Sequence, residues 1–172
     1  MNSQPSPTRL TITRLPVLGI DIGRDNLTSL TISTTTVVEC IEAIRRAPLL
    51  EFCSLSNIKP ATGDLSISTR IVRHIRLRRL ELSSTNGDVL TSFMDAMEFP
   101  SLEESADEDW THLDMDSLTS LLNRTGSSLK QLTLATVTLE DLKKLFEAVP
   151  CLQNLEWCSC SDSTSAIYIC DG

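Results

Sequence analysis

LTSLTIS (residues 27–33), LRRLELS (77–83) and LKQLTLA (129–135) share the form LxxLxL, and their first leucines lie 50 and 52 residues apart. Three strings of the form apolar-Pro-x-Leu fall between and after them: APLLEF from Ala47, FPSLEE from Phe99 and VPCLQN from Val149. Their prolines, Pro48, Pro100 and Pro150, are 52 and 50 residues apart. Interleaved, the two sets place leading leucines at 27, 50, 77, 102, 129 and 152, in steps of 23, 27, 25, 27 and 23.

A unit of about 25 residues headed by LxxLxL has the spacing of a leucine-rich repeat. Successive side chains of a strand face opposite ways, so Leu30 and Ile32 point inward while Ser29, Thr31 and Ser33 point outward. The rest of each unit must bring the chain back to the start of the next strand, and a helix does this while covering the core. The expected fold is α/β, a leucine-rich repeat solenoid of about six units with a parallel inner sheet and outer helices. Residues 1–26 read as a polar N-terminal segment and partial repeat, 27–160 as the repeats, and 161–172 as a C-terminal tail or truncated repeat. TRLTITRLPVLGI (8–20) reads as an earlier strand cut short, and SAIYIC (165–170) as a strand that starts a further unit. Neither end offers a polar cap, so a marginally stable fragment or degenerate product is also expected.

The return segments carry helical periodicity. Val38, Ile41 and Ile44 share one face of 36–46; Val89, Phe93 and Met97 share one face of 88–97, behind Asn86-Gly87; Leu118, Leu121 and Leu122 line 116–124. Leu139, Leu142, Leu145, Phe146 and Val149 form the clearest stripe, with Thr138 as its cap and Glu140 and Asp141 in the first turn. The three prolines end three of these helices. Between Ile58 and Leu77 the alternation of Leu65, Ile67, Ile71 and Ile75, with no convincing helical face, predicts a return by extended chain or loop. In the fourth unit, LEESADED, Ser105 and Asp107 replace leucines, which predicts a short or distorted strand.

A net charge of -8 argues against nucleic acid, whose phosphates need a basic surface. The polar start MNSQPSPTRLTITR lacks the apolar core of a signal peptide, and no run approaches the roughly 18 apolar residues of a membrane span. An intracellular location is expected, in cytoplasm or nucleus, with the six cysteines as reduced thiols. Cys151, Cys158, Cys160 and Cys170 crowd the last repeat, but their spacings of 7, 2 and 10 do not match the short pairs of structural zinc sites, and buried apolar cysteines are the preferred reading. GIDIG (19–23) resembles the phosphate hairpin of actin-type ATPases; that fold needs two large lobes, which 172 residues do not supply. Neither His74 nor His112 stands in a metalloprotease motif, and no nucleophile elbow or phosphate loop occurs. Catalysis and a cofactor are therefore not expected.

Binding is expected on the outward strand positions. The candidates are Phe52, Ser54, Arg79, Glu81, Glu104, Gln131, Thr133, Asn154 and Glu156, on a face that also holds Ser29, Thr31, Ser33, Ser56, Ser83, Ala106, Glu108 and Ala135. Phe52 and Arg79 stand out as the anchor types of interfaces, although Phe52 also reads as a side chain packed on its neighbouring strand. Arg70, Arg73, Arg76, Arg78 and Arg79 form a basic cluster, followed by acidic Glu103, Glu104, Asp107, Glu108 and Asp109. The arginines could receive a phosphorylated or acidic peptide; neutralisation between neighbouring units is the favoured alternative.

DNLTSLTIS, TTTVVECIEAIRRAPLLEFCSLSNI, IRLRRLELSS and SSLKQLTLATVTLEDLKKLFEAVPCLQNLE, in this order, resemble the repeat region of F-box/leucine-rich repeat-like proteins of mushroom-forming fungi. The resemblance spans residues 15–157. It implies a protein–protein interaction module, the substrate-recognition part of a ubiquitin ligase receptor. In such receptors an F-box docks a Skp-type adaptor. No F-box-like helical segment precedes these repeats, so the adaptor is expected only if an F-box lies upstream, and no adaptor-binding residue carries over. The Asn common in leucine-rich repeats is replaced, eight residues after leading leucines, by Thr35, Ile58, Thr85, Val137 and Cys160. A free-standing repeat protein that binds a partner without ligase connection, or a non-functional fragment, is the alternative. The residues leave the partner's identity open.

Overall fold

The computed structural model describes residues 7–15, 19, 24–61, 71–84, 86–106, 114–125, 128–134, 138–159 and 163–168, the last strand and residues 158–159 by backbone alone. Leu65, Ile67, Asp107, Thr85, Val137 and the segment 20–23 lie outside them. In chain order the elements are β1 (Arg9–Thr13), β2 (Ser29–Ser33), α1 (Val37–Arg45), β3 (Phe52–Ser56), β4 (Val72–Arg73), β5 (Arg79–Ser83), α2 (Gly87–Asp95), β6 (Met97–Glu98), β7 (Glu104–Ala106), α3 (Met115–Thr125), β8 (Gln131–Leu134), α4 (Leu139–Ala148), β9 (Asn154–Ser159) and β10 (Ser163–Tyr168).

Each of the six leading leucines stands two residues before a strand. The strands join in the order β1-β2-β3-β5-β7-β8-β9-β10, parallel from β1 to β9, in an α/β arrangement with four helices among the described residues.

The apolar-Pro-x-Leu strings have a common local structure. Leu50, Leu102 and Leu152 donate their backbone N–H to the carbonyls of Ala47, Phe99 and Val149 at 3.1, 3.1 and 3.2 Å. Each string is therefore a tight turn with proline at its second position, where a fixed φ near -65° is wanted. Leu27 closes the same turn on Arg24 at 3.1 Å without a proline. The next step also repeats. The carbonyls of Thr8, Thr28, Glu51, Arg78, Glu103 and Lys130 each accept two successive amides from the following strand, at 2.8–3.1 Å. Six equivalent forks thus lock six strand entries in one register.

Inward from the sheet, Leu30, Ile32, Cys53, Leu55, Leu80, Leu82, Leu132, Leu134 and Leu155 form one buried core with side chains of the four helices. The helices begin where side chains accept their free amides. Thr36 and Thr138 form capping boxes with Glu39 and Asp141, and Asn86 Oδ1 accepts the Val89 amide at 3.2 Å. The short fourth strand is present as expected, with Ser105 buried between Leu80 and Leu132 in the leucine row.

Four details differ from the sequence expectation. The most buried face of α1 is Val37, Cys40, Ala43 and Ile44, with Val38 and Ile41 only partly covered; small Cys40 and Ala43 let the helix approach the sheet. In α4 only Leu145 of the stripe's helical residues is fully buried, while Leu139 is 81% and Phe146 36% exposed. Of the stripe, Val149 is buried too, just past the helix. α3 covers one flank of α4, and Leu139 stands at its first turn. Of the return after the fifty-eighth residue, 62–70 lie outside the described residues, and 71–76 run in the opposite phase to the expected one: Val72 and His74 turn inward while Ile71 and Ile75 are exposed. The two-residue pairing of β4 with β6 sets that phase. The strand around SAIYIC does not start another parallel unit. β10 runs antiparallel to β9 as a hairpin and reverses the sheet's direction. At the other end, β1 is a five-residue strand paired along its length with β2.

Strands β1, β2 and β3 end on residues in the left-handed region: Arg14 (φ 57°), Thr34 (64°) and Asn57 (51°). Each donates its N–H to the last carbonyl of the next strand, Ser33, Ser56 and Ser83, at 3.1, 3.0 and 2.8 Å. The bond extends the ladder one step past the strand. Thr34 is the costly member, because its branched Cβ crowds the carbonyl in this conformation. Thr34→Asn should raise the melting temperature by about 2–4 °C, corresponding to roughly 1 kcal/mol at this chain length. An unchanged or lower value in a calorimetric scan would mean that the hydroxyl's bond from Asn57 Nδ2, 3.2 Å long, outweighs the strain.

Candidate binding face

Strand register gathers the nine candidates into two rows on the side of the sheet away from the helices. The first is Arg9, Ser29, Phe52, Arg79, Glu104, Gln131 and Asn154. The second is Thr11, Thr31, Ser54, Glu81, Ala106, Thr133 and Glu156. A third, shorter row holds Thr13, Ser33, Ser56 and Ser83. Neighbours along a row are about 4.8 Å apart, the spacing of strands in a sheet. Glu108 and Ala135 lie outside the described residues. Sequence reasoning missed the β1 contribution, Arg9, Thr11 and Thr13, although the alternation in RLTIT carried the signal.

The centre of the first row is ordered by charge. Arg79 Nη2 lies 2.8 Å from Glu81 Oε1, Nη1 lies 3.3 Å from Glu104 Oε2, and the guanidinium sits 5.8 Å from the centre of the Phe52 ring. Phe52 therefore does pack on its neighbouring strand, as the platform for Arg79, and stays half-buried. At the far end Asn154 Nδ2 donates to Glu156 Oε1 at 3.1 Å, which leaves Asn154 Oδ1 without a donor among the described residues. Beside Arg79 a surface hollow of about 320 Å³ opens between Ser54, Ser56, Glu81, Ser83 and Ala106. Its floor is low because Ala106 is the smallest side chain of the second row.

The basic and acidic clusters answer one another. Just ahead of the strands, successive units present Glu51, Arg78, Glu103 and Lys130 at equivalent positions, an alternation of sign. Arg76 reaches Glu51 at 3.4 Å, Lys130 reaches Glu103 at 3.7 Å and Arg73 reaches Glu98 at 3.4 Å. Of the described arginines of the cluster, Arg73, Arg76 and Arg79 thus already hold carboxylates, while Arg78 pairs with none among the described residues; Arg70 and Asp109 lie outside them.

His74 is buried on the return side, where its Nε2–H donates to the Ala47 carbonyl at 2.9 Å, and His112 lies outside the described residues. Among the described residues no group of three or more His, Cys, Asp or Glu could hold a metal ion. No helix among them is long and apolar enough to cross a membrane. Cys151 is exposed on its turn rather than buried; Cys160, Cys170 and the Cys158 side chain are outside the description. Set against family models, curated proteins and solved structures, the chain matches none.

Burial governs the two core thiols. Cys40 on α1 is pushed up to about 12, first by desolvation and then by the Glu39 charge, and Cys53 on β3 is raised by burial in the same way. Their folded forms hold the proton while an unfolded thiol loses it near about 8.5. Stability from the neutral thiols is therefore complete below that value and lost as pH rises toward about 12. Iodoacetamide at neutral pH should label Cys151 and spare Cys40 and Cys53. Urea midpoints should fall on the alkaline side, less so in Cys40→Ala relative to its own neutral midpoint. Equal native labelling of all three would contradict the packing.

Proposed function

We propose that the chain is a leucine-rich-repeat solenoid that recognises a protein partner on its outward sheet face, and that it works inside the cell as the substrate-recognition region of an F-box-type ubiquitin ligase receptor. The observation that carries the recognition reading is the pair of outward rows across seven strands, polar except for Phe52 in the first and Ala106 in the second. Their backbone groups are consumed by the ladder, so the side chains are free to meet a partner. Arg79 is fixed by two carboxylates and a ring, and an anchor already held in place loses little freedom on binding. The chain does no covalent chemistry in this role; it presents a substrate.

The ligase connection rests on the resemblance of residues 15–157 and on an F-box supplied upstream, which would hold the Skp-type adaptor. The test is affinity capture of the tagged endogenous product, compared with the same product carrying Thr133→Trp. The expected result is co-purification of adaptor and cullin with both forms, and of further proteins with the unaltered form only. Absence of adaptor and cullin overturns the ligase role and leaves a free-standing binding module. A protein set unchanged by Thr133→Trp overturns the face.

A further inference from the structure

We propose, resting on the reading of the sheet face as a recognition surface, that its occupant is an extended peptide segment with two basic side chains four residues apart, laid across the strands so that one meets Glu81 and the other Glu156.

The charges of the face select the sign. Among the described residues the face holds two cations, Arg9 and Arg79, against three carboxylates, Glu81, Glu104 and Glu156; Arg9 stands apart on β1, so from β3 to β9 the surplus is two negative charges. Arg79 is divided between Glu81 and Glu104 at 2.8 and 3.3 Å. Glu156 has, among the described residues, only the Asn154 amide, and Asn154 Oδ1, without a donor among them, adds an acceptor at the same end. An anionic peptide would have to displace carboxylates from Arg73, Arg76 and Arg79, and would find Arg78 standing between Glu51 and Glu103 at the equivalent positions of the neighbouring units. A net charge of -8 draws the same kind of partner from a distance.

Register selects the spacing. Glu81, Ala106, Thr133 and Glu156 are consecutive in one row, so the two carboxylates stand three strand steps apart, about 14 Å. An extended chain advances about 3.4 Å per residue and shows alternate side chains to one side. Residues i and i+4 therefore also stand about 14 Å apart, and residue i+2 passes over small Ala106 and Thr133. The hollow of about 320 Å³ beside Glu81, edged by the Ser54, Ser56 and Ser83 hydroxyls, has room and acceptors for an ammonium or guanidinium group.

The experiment selects displayed random nonapeptides on the folded full chain and measures the enriched peptides by fluorescence anisotropy. Lys or Arg at positions four apart should dominate. Glu81→Gln and Glu156→Gln should each weaken binding about tenfold, and raised salt should weaken it further. Glu156→Lys should regain affinity for a peptide with Glu at its second basic position, which a misfolded variant would not. Enrichment of acidic or unpatterned peptides, or indifference to both Gln variants, overturns the inference. If Thr133→Trp still abolishes that binding, the face remains a recognition surface with a different occupant. If Thr133→Trp also has no effect, or nothing enriches, both readings fall.

Discussion

Two parallel strands cannot be joined by a tight turn, because the chain leaves one strand at the wrong end to enter the next. Each unit must therefore devote some twenty residues to a return, and that return must cover apolar surface or cost more than it gains. The steps of 23 to 27 residues between leading leucines follow from this constraint. So does the division of labour within each unit. The leading leucine is buried at the strand entry, the carbonyl beside it receives the forked pair of amides, and the return helix lays Ile44, Leu90, Phe93, Leu118 or Leu145 on the same core. Once six entries are forked alike, the outward side chains have no choice of partner: Phe52 must stand beside Arg79, and Arg79 beside Glu104.

This is why so much of the architecture was legible in the sequence. LxxLxL and apolar-Pro-x-Leu encode backbone events, a buried entry and a proline turn, and Thr138 encodes a cap by the chemistry of its hydroxyl. What stayed hidden depends on neighbours outside the segment being read. Cys40 and Ala43 look unremarkable until α1 must lie close to the sheet. Leu139 and Phe146 stand seven residues apart on one side of α4, about 100° or more around the helix from Leu145, and only the Leu145 side meets the core. Ile71 and Ile75 lose their place to Val72 and His74 because β4 pairs with β6, twenty-five residues later in the chain. The direction of β10 was unreadable for the same reason, since an alternating run fits a parallel or an antiparallel partner equally well.

Period two alone assigns outward positions, so the side of the sheet on which the described candidates stand was readable from the sequence. The electrostatics of that face were legible in part: neutralisation between neighbouring units was the favoured reading of the five arginines, and an anion site the other, but the partners could not be named from the sequence. In space the units alternate sign, and each described ion pair joins one unit to itself or to the next. Exposed pairs of this kind contribute little to stability, about 0–1 kcal/mol each. Their effect is directional: they hold the Arg79 guanidinium near the Phe52 ring and offset its charge, so from β3 to β9 the potential left on the face is that of the carboxylates.

The fourth unit joins fold and face. It keeps the turn at Phe99-Pro100 and the fork at Arg78, yet its strand is three residues long and places Ser105 where the rows above and below have leucine. A hydroxyl in that row gives up the apolar burial of a leucine, a loss of order 2 kcal/mol. On the outward side the same strand contributes only Ala106 to the row between Glu81 and Thr133, and the floor drops there to open the hollow. The irregular strand thus sets a hydroxyl in the leucine row on its inward side and the smallest side chain of the second row on its outward side, so the place where a partner's side chain can sit deepest is also the place where the core gives up a leucine.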